Sequence, residues 1–104
     1  MLITTIEQLP NQNFIPLGMV QGSTIQTKNI GRDITQSLKT IVGGELGAYT
    51  QMMDDARQIA INRMEQQARS LGADAIIGVR LSTSSIMQGA AEVVAYGTAI
   101  QLNG

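Results

Sequence analysis

The chain has 104 residues, seven basic and eight acidic side chains, a net charge of −1, no cysteine and no histidine. Disulfides, thiolate zinc sites and cysteine nucleophiles are therefore excluded, and the commonest metal ligand and general base is missing. No block of like charge supplies the electrostatic footprint of a nucleic-acid or anionic-membrane binder.

This length fits one domain, residues 1–104, that buries roughly 65% of its unfolded surface. With one Phe and two Tyr against six Met, the core must be built from aliphatic side chains and Met. Neither a basic leader nor an apolar run of about 18 residues is present, so the expected location is the cytoplasm, with no membrane partner.

In chain order, LITTI at 2–6 is short and β-prone, and EQLPNQN reads as a turn around Pro10. FIPLGMVQGSTIQT at 14–27 alternates, with Ile15, Leu17 and Met19 on one side and Gly18, Val20 and Gly22 on the other. Two glycines on one face of a strand predict a second backbone close against it. From Asp33 the period changes. Ile34, Leu38, Ile41 and Val42 form one helical stripe, and Asp33 with Gln36 makes a capping-box pattern.

A longer helix follows over 46–71, with Ala48, Met52, Ala56, Ile59, Ala60, Arg63, Met64, Ala68 and Leu71 on one face and a Glu65–Arg69 pair on the other. Gly72 stands where a left-handed residue ends a helix. ADAIIGVRL follows as a strand, with Ala75, Ile77, Val79 and Leu81 on one face and Ile76, Gly78 and Arg80 on the other. STSSIMQGA at 82–90 reads as a polar turn, and AEVVAYGTAIQL at 91–102 as a strand carrying Val94, Tyr96, Thr98, Ile100 and Leu102 on one face.

The expected architecture is α+β, β-α-α-β-β in order. Its three- or four-stranded sheet is covered on one face by the long helix and ends in an antiparallel hairpin. Aliphatic residues on both faces of the last two strands predict that the uncovered face meets another copy of the chain, a homo-oligomer.

The run NIGRDITQSLKTIVGGELGAYTQMMDDARQIAINRMEQQARSLGADAIIG at 29–78, with the ITT start and the strand through Gly18 and Gly22, resembles the YbjQ-like family of small bacterial and archaeal proteins, which carries a heavy-metal-binding label. The resemblance implies a dodecin-like subunit assembled into a pentameric ring, and it implies no activity. Relatives carry acidic residues after the ADAIIG-like motif and a basic residue after the double glycine. Here those places hold Val79 to Thr83 and Glu45.

The glycine corner IVGGELGAY follows a helix and lacks the Lys and Ser/Thr of a phosphate loop. Gly43 and Gly44 are read as the bend between two helices, with Glu45 at the N-terminus of the second and Gly47 and Tyr49 as a structural or interface motif. Metal would need oxygen or thioether ligands: Glu45, Asp74 and Asp33 are the carboxylate candidates, for a divalent ion held at subunit interfaces. Met52, Met53 and Met64 are read as core filling rather than soft-metal ligands. Asp74 is read as a turn residue bonding nearby amides or as partner to Arg32 or Arg57. Arg57, Gly72 and Gly78 complete the structural and interface set. Asp54 and Asp55 point in different directions on a helix, and no catalytic constellation is visible. The expected protein is a non-enzymatic ring, a structural or small-ligand-holding module. The alternative is a metal-binding protein using carboxylates and Met.

Overall fold

Glycine 22 explains how the layers meet. In the computed structural model, which describes residues 1–27 and 44–103, strand β2 (Phe14–Thr27) lies directly against helix α1 (Gly44–Ser70). A Cβ on Gly22 would stand 2.2 Å from the Met64 nitrogen and 2.4 Å from the Ala60 oxygen. The glycine-rich face therefore does receive a second backbone. Gly18 behaves otherwise: nothing lies within 4 Å of a Cβ there, and its φ of 129° belongs to a bulge where the pairing with β4 shifts register.

The remaining elements are β1 (Leu2–Ile3), β3 (Ala75–Met87) and β4 (Ala90–Leu102). They form one mixed sheet in the order β1-β3-β4-β2, with β1 parallel to β3 and β4 antiparallel to both its neighbours. The architecture is α+β, one helix on a four-stranded sheet. The helix predicted over 33–42, with Asp33 and Gly43, lies outside the described residues, as does the side chain of Glu45.

Helix α1 buries Met53, Ala56, Ala60, Met64 and Ala68 against Val20, Val93, Ala95 and Ala99. The buried stripe is turned from the predicted one. Met53 rather than Met52 is buried, while Arg63 and Leu71 are exposed. Alanine at three of five positions lets the helix axis sit low on the sheet, as contact with Gly22 demands. Arg63 lies beside the edge strand: its Nη1 donates to the Ser23 carbonyl at 2.7 Å, and Gln67 Oε1 accepts the Gln21 N–H at 2.7 Å.

The helix ends as predicted. Gly72 has φ 80°, and its N–H donates to the Arg69 carbonyl while the Ala73 N–H reaches back to Ala68, the paired bonds of a Schellman motif.

Two predictions for β3 are corrected. Residues 82–87 are strand rather than turn, paired from Ser82↔Val94 to Met87↔Ala90, with only Gln88 and Gly89 turning the hairpin. No apolar alternation marked this stretch because, among the described residues, nothing covers either of its faces, and every residue from Leu81 to Gln88 is exposed. The faces also switch. A bulge between Ile77 and Arg80, where Gly78 takes φ 62°, puts Ile76 and Val79 in the helix-side core. Ala75 and Ile77 join Ile100 on the opposite side, covered there by Leu9 and Phe14.

Gly22→Ala drives a methyl into helix backbone, which cannot move like a side-chain tip, and should cost about 1–3 kcal/mol. Gly47→Ala, with open space around it in the same helix, should raise stability by about 0.5–1 kcal/mol. Urea denaturation of both variants checks the pair of opposite signs.

Candidate functional site

The residues singled out in the sequence fall at separate places. Gly47 and Tyr49 lie exposed near the start of α1, and Gly72 and Asp74 lie just past its other end. With about 1.5 Å of rise per residue, Tyr49 and Gly72 are roughly 35 Å apart. Arg57 is on the exposed side between them, its Nη1 2.6 Å from Asp54 Oδ1. Asp55 accepts instead from Gln51 at 3.0 Å, so the adjacent carboxylates do take different partners.

Asp74 is a clasp. Its N–H donates to the Ile100 carbonyl at 2.8 Å and its Oδ2 accepts the Leu102 N–H at 2.8 Å, fastening the start of β3 to the end of β4. Its partner is thus a backbone amide and not Arg57. Gly78 serves the β3 bulge, where its N–H donates to the Ile6 carbonyl at 2.7 Å. Among the described residues no three Asp or Glu side chains gather as a metal-ligand group.

Two surfaces remain. One is a shallow groove of 370 Å³ between α1 and the β1–β3 edge, lined by Ile3, Thr5, Ile61, Val79, Arg80 and Leu81. Arg80 is committed within it: Nη1 donates to the carbonyls of Thr5 and Val79 at 3.0 and 2.9 Å, and Nη2 lies 3.7 Å from Glu7. Sequence reasoning missed this groove, because only the bulge turns Val79 and Leu81 toward the helix side.

The second surface is the sheet face opposite α1. Register places Gln21, Tyr96 and Arg80 in one row across β2, β4 and β3, with Ser23, Val94 and Ser82 in the next. Met19 and Ile25 flank these rows at 72% and 59% exposure, and Tyr96 is 38% exposed. Polar residues interrupt this face more than the predicted aliphatic run implied, because the bulge sends Val79 and Leu81 to the other side.

The whole chain has relatives of the same build. A family model matches residues 1–103. The chain belongs to the YbjQ-like family. That family's description reads "Putative heavy-metal-binding". Similar YbjQ-like proteins include the UPF0145 protein of Clostridium novyi (strain NT), 52% identical over 98% of this chain and 99% of the relative. The UPF0145 protein of Hahella chejuensis is 55% identical over 96% and 97%, and that of Thermotoga maritima 52% identical over 98% and 97%. A crystal structure of a protein of unknown function from Pediococcus pentosaceus ATCC 25745 shares the fold, with a TM-score of 0.65 at 23% identity over 99% of this chain and 98% of that one.

The Arg69 guanidinium, 2.6 Å from the Glu65 carboxylate, holds that group below its ordinary 4.5, with the Met1 ammonium adding to the effect. A lowered folded-state value makes the pair stabilising above about pH 4.5, and that contribution disappears as pH falls through the folded-state value. Glu65→Gln should therefore have a lower urea midpoint than wild type at neutral pH, the gap closing on acidification below pH 4.5. Asp74→Ala leaves the Leu102 amide without its carboxylate acceptor and should cost about 1 kcal/mol, with Asp74→Asn retaining part of it. Denaturant titration orders the three proteins.

Proposed function

We propose that this YbjQ-like protein acts in the cytoplasm as a non-enzymatic homo-oligomeric ring, pentameric as the family resemblance implies. In this reading the subunit contacts build a structural or small-ligand-holding module. The supporting observation is the sheet face that α1 does not cover, where Met19, Ile25, Val94 and Tyr96 stand beside Arg80. Tyr, Met and Arg are the side chains most enriched at protein interfaces. Shape agrees with it. The molecule extends 57 × 22 × 17 Å with a radius of gyration of 17.3 Å, against about 13 Å for a self-contained domain of this length. A narrow rod buries too little of itself and gains from lying against a second one.

Among the described residues no helix is long and apolar enough to cross a membrane. The absence of a strongly charged stretch supports a partner that is the chain itself rather than nucleic acid.

The family's heavy-metal-binding description favours a second reading, a metal-binding protein in which carboxylates at subunit interfaces, with Met, hold the ion. Glu45 and Asp33 are the candidates for it, since Asp74 already accepts a backbone amide. Calorimetric titration of the purified protein with zinc, copper and nickel ions decides this reading: saturable heat lost in Glu45→Ala supports it, and no heat removes it.

The ring reading is tested by native mass spectrometry. Wild type should give an assembly built from pentamers, while Met19→Asp/Tyr96→Asp, which alters only exposed positions, should give nothing above a dimer with an unchanged circular dichroism spectrum. A monomeric wild type at micromolar concentration would sink the proposal.

A further inference from the structure

Strand β3 has two halves with different neighbours. Its first residues pair with β1, Leu2↔Ala75 and Ile3↔Ile76, and the backbone of Thr4 and Ile6 continues that contact as far as Val79. Arg80 closes it by donating to the Thr5 carbonyl. From Leu81 to Met87 the strand pairs with β4 alone, so among the described residues its outer backbone groups face solvent. An exposed row of this kind is a template for another strand.

The opposite edge of the sheet is treated differently. On β2, Gln67 takes the Gln21 N–H and Arg63 takes the Ser23 carbonyl, so two side chains of α1 occupy the backbone positions a neighbouring strand would use. On β3, among the described residues, no side chain takes the outer backbone groups of Leu81–Met87, and a bulge between Ser85 and Met87 is the one irregularity of that edge. Nor does the sequence supply a guard: between Leu81 and Ala91 there is no charged residue and no proline, the usual devices that keep an edge from pairing.

We infer that the Leu81–Met87 edge pairs antiparallel with the same edge of a second copy of this chain, about a two-fold axis at Ser84. This inference rests on the homo-oligomer reading above and adds to it an interface separate from the sheet face. The segment matches itself. Antiparallel apposition about Ser84 sets Thr83 opposite Ser85 at the centre, where small hydroxyls meet, and brings Leu81 toward Met87 across the bulge between Ser85 and Met87, so the apolar ends meet. An uncharged edge offers nothing for a charged peptide to read, whereas a second copy needs no charge complement. Because the β2 edge is guarded, such pairing stops at two sheets and does not extend into a fibre. Combined with a ring contact, it joins two rings back to back.

The absence of native cysteine makes the test direct. In Ser84→Cys the two thiols meet at the axis, and mild oxidation or a short bifunctional thiol reagent should convert most of the protein to a covalent dimer. A Gln8→Cys control, exposed elsewhere, should stay uncrosslinked. Ser82→Lys/Ser84→Lys changes only exposed positions, so it should keep the wild-type circular dichroism spectrum while halving the copy number seen by native mass spectrometry. The Ser84→Cys crosslink should also survive in the Met19→Asp/Tyr96→Asp background. An assembled wild type with an odd number of copies, or one in which Ser84→Cys fails to crosslink, overturns the edge pairing and leaves the ring reading standing. Crosslinking without any larger assembly overturns the ring and keeps the edge. Fast hydrogen exchange of the 81–87 amides within the assembled protein would also overturn the edge pairing.

Discussion

The contact between Gly22 and the Ala60–Met64 turn is the constraint on which the rest of the structure depends. Helices pack on sheets through side chains, and here one strand position has none. The helix backbone descends onto the strand backbone, and the small residues Ala56, Ala60 and Ala68 along α1 follow from that closeness. The close approach also brings the exposed side of the helix down beside β2, within reach of Arg63 and Gln67. A helix seated one side-chain layer higher would bury more volume but leave the β2 edge open. The low alanine content of aromatic-rich cores is thus inverted in this protein: area per residue is small, and the layers compensate by proximity.

That geometry has a lateral cost. One helix about 10 Å wide covers roughly two strands spaced about 4.8 Å apart. Centred on β2 and β4, α1 leaves the far half of β3 bare on both sides among the described residues. The groove beside Ile61, the uncovered sheet face and the open edge of β3 are, among the described residues, three views of the same shortage of covering layers.

Much of this was legible in the sequence because the relevant signals are local. The bounds of β2 follow from its alternation after the polar turn around Pro10. The end of α1 follows from Gly72, and the hairpin from two β-prone runs in succession. What was not legible depended on register. Bulges at Gly18 and Gly78 each insert one residue, and one residue is enough to move Val79 and Leu81 from one face to the other. The Ser-Thr-Ser-Ser run looks like a turn because hydrophobic alternation reports burial, and a strand bare on both faces buries nothing. Arg63 inside an apolar stripe was the visible sign of the guarded edge, although its meaning required knowing that β2 is the edge. Among the candidate residues, Asp74 had the local signature of an amide-binding carboxylate, yet its actual partner, Leu102, is distant in sequence.

The position of β4 has a consequence for how the molecule comes into being. Strands β2 and β3 never touch each other as neighbours; each waits for the strand between them, which is the last of the three along the chain. During synthesis β2 and α1 therefore leave the ribosome without their central partner, and the part of their shared core that packs on Val93, Ala95 and Ala99 stays exposed until Ala90–Leu102 arrives. Folding is held back to the final strand, and the nascent chain is exposed to chaperones and to premature self-association for most of its making.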